Sequence, residues 1–302
     1  MRSVAAVVVA GGLKLVEVAP PPVKRGYVLA KPLATVLTPL DTAAARGYIP
    51  YTYGKIAGSA GLVRVVELGY GVGEFNVGEE ALVAPKCFVD LATRADGTLA
   101  ELISVPSECL LPAPRGIQGL LGARVSVLAH VPSILRRISG STLLIAGCGF
   151  EALALAHSAR ELLRVEAMCS SEVGLQRASR LGIRSYLWEE AGGSYDVVYI
   201  ASLNPYLNAS ASRKCRETLI ISPFVPKEYI PAVAAERVVA GSRVEPDVAK
   251  AVEVADSLPS DLGKAIRVAD SLQKVIDISF SITYSNYVVY LKQGGHPQTV
   301  YS

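Results

Sequence analysis

Charge is scarce in this chain: 19% of its 302 residues are Asp, Glu, Lys or Arg, and the 30 basic and 27 acidic residues nearly cancel. With no basic stripe there is no electrostatic footprint for a nucleic acid, so no such partner is expected. The densest basic cluster, Arg213-Lys214 with Arg216, reads as a solvated helix end. Long apolar runs are missing too. The longest, such as Ala5 to Ala10, match strand length and fall far short of the roughly 20 residues of a membrane helix. No secretory leader is legible, because that run meets Gly11-Gly12 and then charged, strand-like text, and a cytoplasmic location is expected. The five cysteines, Cys87, Cys109, Cys148, Cys169 and Cys215, are odd in number, widely spaced and without a Cys-x-x-Cys pair. Neither a zinc ribbon nor a disulfide framework is therefore expected, and they read as small apolar fillers. What is abundant is hydrophobic residues, 51% of the total, over a length that accommodates two domains with separate cores.

The chain is organised around Gly140 to His157. A turn dipeptide leads into the apolar block Leu143 to Ala146, which breaks at Gly147-Cys148-Gly149 before Ala- and Leu-rich helical text. Such a strand, tight turn and helix lets the backbone approach a phosphate, with the first helical N–H groups and the positive end of the helix dipole aimed at it. The third glycine of a dinucleotide fingerprint is replaced by Ala152, and Glu151 adds a carboxylate that either faces a bound pyrophosphate or points to solvent.

Upstream the text is mostly β. Strands are expected in Val4 to Val18 around Gly11-Gly12, in Tyr27 to Thr35, Gly58 to Leu68, Glu80 to Ala84 and Leu102 to Val105, with a short helix at Asp41 to Gly47. Pro112-Ala113-Pro114 with Arg115-Gly116 closes this block. Gly119 to Ile138 reads as a helix, and from Ser141 strands alternate with helices, which implies a parallel sheet covered on both faces. Asp247 to Leu258 and Asp261 to Gln273 read as helices, Val275 to Thr283 and Tyr287 to Leu291 as strands.

Taken together, Gly12 to Glu17, Tyr27 to Lys31, Val72 to Glu79, Asp96 to Glu101, the Gly147 turn, Tyr195 to Val198 and Gly241 to Arg243 resemble, in order and spacing, the medium-chain dehydrogenase/reductase family. That family comprises zinc alcohol dehydrogenases and zinc-free quinone oxidoreductases. The resemblance implies an α/β protein with a GroES-like β domain at 1–116, a Rossmann doubly wound parallel-sheet domain at 117–258, and a return to the first domain at 259–302. It also implies a homodimer or higher homo-oligomer acting on a small-molecule substrate.

The family's zinc positions fall here on Thr38, on Lys55 within Gly54-Lys55-Ile56, and at or near His130. Catalytic zinc takes three N, S or O ligands, and a lysine ammonium repels the ion, so no zinc is expected. Thr38 to Asp41 looks like the corresponding segment of quinone oxidoreductases. The implied cofactor is NADP, with NAD the alternative, bound by Gly147, Cys148, Gly149, Phe150, Ser170 and Ser171. At the ribose-binding position stands Cys169, followed by Ser170-Ser171, with no carboxylate to repel a 2′-phosphate; the serines equally suit a helix N-cap. The polar groups brought to the cleft are Thr38, Tyr48, Lys55 and His130, candidates to polarise a carbonyl, enone or quinone as hydride arrives. Each has a structural alternative: a cap for Thr38, a surface position for Lys55, a core position for His130. His157 and His296 carry little information. The expected activity is zinc-independent hydride transfer, and the alternative is a non-catalytic descendant that binds a ligand or partner.

Overall fold

The computed structural model describes residues 3–190, 192–226, 229, 235–263, 265–281 and 287–291; His296 lies outside them. β1 (Ser3–Val9) and β2 (Gly12–Val18) form an antiparallel hairpin around Gly11. β3 (Tyr27–Leu37) is followed by α1 (Pro39–Ala45), β4 (Ala60–Leu68), β5 (Glu80–Val83), α2 (Phe88–Thr93), β6 (Ile103–Pro106) and β7 (Leu110–Pro112). Next come α3 (Gly119–Leu128), α4 (Val131–Leu135), β8 (Thr142–Ala146), α5 (Phe150–Ala159), β9 (Arg164–Cys169), α6 (Glu172–Arg180) and β10 (Arg184–Leu187). β11 (Tyr195–Ile200), α7 (Pro205–Ser212), β12 (Cys215–Ile221), β13 (Arg237–Ala240) and α8 (Val248–Ser257) complete the alternating block. The chain then runs through α9 (Ser260–Gly263), β14 (Ile266–Ala269), α10 (Leu272–Ser281) and β15 (Tyr287–Leu291).

Two sheets carry the architecture. The order β10-β9-β8-β11-β12-β13, parallel throughout, is that of a Rossmann domain, whose strand order reverses between β8 and β11. Its central strands are apolar on both faces, as a sheet covered by helices on either side requires: Leu143 to Ala146 and Val197 to Ile200 are fully buried. The other sheet, β14-β15-β3-β4-β5-β7 with β6 also on β3, is antiparallel except for the β14–β15 pair, and is of the GroES-like kind. β15 joins it by pairing Val288 with Leu37. Among the described residues no helix is long and apolar enough to cross a membrane.

Four expectations are corrected. The single helix at Gly119 to Ile138 is broken at Ala129-His130, because Pro132 has no N–H to donate to Leu128 O, and at the break Asp247 N donates to the Ala129 carbonyl at 2.8 Å. The helix expected at Asp261 to Gln273 is divided between α9, β14 and the start of α10, and the strand expected at Val275 to Thr283 is helical through Ser281. Leu272, Val275 and Ile276 have the i, i+3, i+4 spacing of one helical face, which outweighs the β-branched composition; Val275 and Ile276 are buried. Four of the five cysteines are paired. Cys87–Cys109 joins the turn before α2 to the start of β7 with Cα atoms 5.6 Å apart, and Cys148–Cys169 lies in the Rossmann domain. Sheet topology brings these residues together, and sequence spacing carries no trace of it.

A candidate cofactor crevice and interdomain site

The crevice opens where β8 and β11 diverge. Gly147 has φ +128° and its amide donates to Met168 O at 2.9 Å; a Cβ there would come within 2.9 Å of Ala201 O on the neighbouring strand's exit. Only glycine suits this approach. Gly149 is the N-cap of α5 and supplies no side-chain cap, which leaves the positive end of a ten-residue helix facing the crevice. Phe150 turns inward and meets the Tyr287 ring edge-on at 5.8 Å. Glu151 points neither at the crevice nor to solvent; it is 2% exposed and buried beneath the helix. The carboxylate that set this turn apart from a dinucleotide cradle is therefore out of a pyrophosphate's path.

Cys148 and Cys169 are disulfide-bonded, with Cα atoms 5.3 Å apart, so the turn is tied to the end of β9. Gly174 of α6 packs beneath, where a Cβ would come within 2.9 Å of Cys148 Cβ. Ser171 caps α6 by accepting from Gly174 N at 3.3 Å, and Ser170 beside it is exposed. No carboxylate stands at the end of β9. Glu166, within the strand, is buried and occupied by Tyr195 Oη at 2.6 Å and the Arg164 guanidinium at 2.7 Å. Against the cost of burial, these hydrogen bonds hold its carboxyl below the usual range. The glycine turn, the open helix end and the absence of an acid at β9 fit a dinucleotide.

Beneath the crevice lies a buried polar cluster drawn from four elements. Glu151 Oε1 lies 2.8 Å from His130 Nε2 and accepts from Ser222 Oγ at 3.3 Å and from the Tyr199 hydroxyl. His130 Nε2 also lies 3.3 Å from Tyr199 Oη. His130 is the N-cap of α4 at the helix break, Tyr199 is on β11 and Ser222 follows β12. His130 Nδ1 is buried and, among the described residues, has no hydrogen-bond partner. Burial, then the Glu151 charge, pushes the Tyr199 hydroxyl well above its usual range, and the same two causes act on Tyr287. Phe224 closes the cluster: it lies 6.1 Å from the His130 ring, 5.9 Å from Tyr287, and stacks at 4.5 Å on Phe88 of α2.

On the GroES-like side, Thr38 caps α1 in a capping box with Asp41, and Pro39 occupies the first helical turn. Asp41 Oδ2 accepts from Thr38 N at 2.9 Å, Thr38 Oγ1 at 3.0 Å and Ser59 Oγ at 2.6 Å, while Oδ1 accepts from Gly58 N at 3.0 Å. The Thr38 hydroxyl is thus committed to the cap. Lys55 is 4% exposed, and its Nζ donates to Leu91 O at 2.7 Å and Ile56 O at 3.3 Å. Burial pushes its ammonium from 10.5 down to about 8, opposed by the carboxylates of Asp41 and Asp96. The Tyr48 ring is 57% exposed, and its carbonyl accepts from Tyr229 Oη at 2.5 Å.

Of the residues singled out in the sequence, Lys55 and His130 share α2 as a neighbour: Leu91 O holds Lys55, and Phe88 carries the Phe224 ring that meets His130. Thr38 and Tyr48 lie at either end of α1 and have their own partners. The sequence reading missed Tyr199, Ser222 and the inward turn of Glu151. The available signal was a tyrosine in a continuous apolar strand together with a glutamate in an otherwise apolar helix start; each needs a partner when buried. Among the described residues no group of three His, Cys, Asp or Glu side chains could hold a metal. A committed hydroxyl, an ammonium and one imidazole do not make a zinc donor set.

No protein-family model and no curated protein sequence matches the chain. Solved structures do match over nearly its whole length. A Sinorhizobium meliloti protein bound to NADP has a TM-score of 0.69 at 18% identity, covering 97% of this chain and 100% of its own. Acetophenone reductase from Geotrichum candidum in complex with NAD gives 0.68 at 17%, covering 96% and 97%. A mycobacterial quinone oxidoreductase gives 0.65 at 19%, covering 97% and 100%. The chain has the medium-chain dehydrogenase/reductase fold.

Proposed function

We propose that this protein is a zinc-independent oxidoreductase that transfers hydride between NADPH and a small carbonyl, enone or quinone. The observation that carries the reading is the Gly147 turn with the uncapped α5 N-terminus, from which Glu151 is turned away. Gly147, Cys148, Gly149 and Phe150 supply backbone for the pyrophosphate. Ser170 and Ser171, with no acid at the end of β9, suit a 2′-phosphate and favour NADPH over NADH. The cofactor, when bound, supplies the hydride; the rest falls to the chain's own side chains. Lys55 and His130 are the groups that would polarise the substrate oxygen, with Thr38 and Tyr48 framing the entrance through α1.

Thr38, Lys55 and His130 are all buried, so substrate entry requires the two halves to part at the Phe88–Phe224 contact, and closure then excludes water. The active unit is a homodimer or higher homo-oligomer, which sedimentation would measure. The direct test is a fluorescence titration of metal-free protein with NADPH and NADH. Tight NADPH and weak NADH binding is expected. Binding of neither at high micromolar concentration would contradict the reading and leave a non-catalytic ligand-binding or partner-binding protein.

A further inference from the structure

The buried cluster beneath α5 has a feature that core packing does not require. Glu151 Oε1 accepts from Tyr199 and Ser222 and lies 2.8 Å from His130 Nε2; an ionised carboxylate only accepts, so the His130 proton that meets it is the one on Nε2. Nδ1 is then the bare nitrogen, and it is buried with no partner among the described residues. An unpartnered buried acceptor is costly, and a core histidine ordinarily avoids that cost by bonding at both nitrogens. Here one nitrogen has two neighbours within a single hydrogen-bonded cluster, and the other has none among the described residues.

We propose that Glu151 and Tyr199 are positioning residues that hold His130 with Nε2 as donor, so that Nδ1 exchanges a proton with the oxygen of a substrate in the interdomain cleft. This rests on the proposed oxidoreductase function and adds the residues that make His130 suitable for it. In the oxidising direction the substrate hydroxyl gives its proton to the bare Nδ1, the O–H pair becomes the C=O π bond, and the hydride pair leaves the carbon for the nicotinamide that the proposed function would supply. Reduction runs the same steps backwards, with Nδ1 returning that proton to the substrate oxygen while Nε2–H stays on the Glu151 carboxylate. The titratable groups that face the cluster are Glu151 from α5, Tyr199 from β11 and Tyr287 from β15. Phe224 covers it with an apolar ring.

The test uses full-length protein with 15N-labelled histidine, whose three histidine signals are assigned with His130→Gln. In the apo protein at neutral pH, long-range 1H–15N correlation should show His130 as a single tautomer, protonated at Nε2. Adding trifluoroethanol with NADP+ should shift its Nδ1 resonance and leave His157 and His296 unchanged. Glu151→Gln keeps an acceptor oxygen but removes the charge. It should lower kcat for NADPH-dependent reduction of phenanthrenequinone by about 100-fold or more, with the NADPH KM within about twofold. An Nδ1–H tautomer, an Nδ1 resonance indifferent to the alcohol, or unaltered kcat in Glu151→Gln would each overturn the proposal. Absence of turnover in the wild type would instead count against the oxidoreductase reading, and the apo tautomer alone would then decide whether Glu151 positions His130.

Discussion

Replacing Lys55 by Met should change how stability depends on pH more than it changes stability at any one pH. The side chain is almost fully buried, with Nζ on the carbonyls of Leu91 and Ile56. Burial lowers its folded pKa from 10.5 to about 8. Because the folded pKa is the lower one, the unfolded chain binds more protons between those two values, and stability rises with pH across that window. The full displacement corresponds to about 3 kcal/mol, most of which appears between about pH 7 and about pH 10. The Met variant keeps the packing volume and loses the titration, so the wild type should gain on it by roughly that amount over the same range. Denaturant unfolding of both proteins across the range, under non-reducing conditions, gives the difference directly and cancels every other titrating group. Parallel stability profiles would refute the reasoning, since they would mean that Lys55 titrates alike in both states.

The two disulfides should leave Cys215 as the sole reactive thiol in denatured, unreduced protein, and thiol counting that finds five would contradict the pairing. Cys148→Ala should lower stability by about 3 kcal/mol, the loop-closure value for a cross-link of this span, measured against the same variant of the reduced chain. Gly147→Ala forces a Cβ toward Ala201 O at a backbone angle that alanine resists; a loss of about 2 kcal/mol and weaker dinucleotide binding are expected from unfolding and titration. Thr38→Val removes the α1 cap and its bonds to Asp41 and Ser59. It should cost about 2 kcal/mol while NADPH affinity is retained, and an unchanged melting profile would argue against the cap.

Much of the fold was legible because its signals are local. The Rossmann block announces itself through apolar strands alternating with capped helices, as Ser171, Asn204 and Asp247 each begin one. The misreadings at α10 and at the α3–α4 break have local causes too: β-branched residues on a helical face, and a proline in the interior of an apparent helix. The disulfides and the Glu151 cluster were not legible, because each depends on residues 21 to 71 positions apart that meet only in the folded sheet. Glu151 is the sharpest case. In sequence it looks like an obstacle to a phosphate, and only the rotation of the first turn of α5, with His130, Tyr199 and Ser222 waiting beneath, turns it into an internal partner.

The central claim is hydride transfer without metal. Chelator-dialysed protein incubated with NADPH deuterated at nicotinamide C4 and a panel of small aldehydes, enones and quinones tests it most directly, with product analysed by mass spectrometry. Deuterium in the reduced product, at a rate unaffected by the chelator, is the predicted result. No deuterium transfer to any member of the panel, or transfer that returns only when zinc is restored, would contradict it.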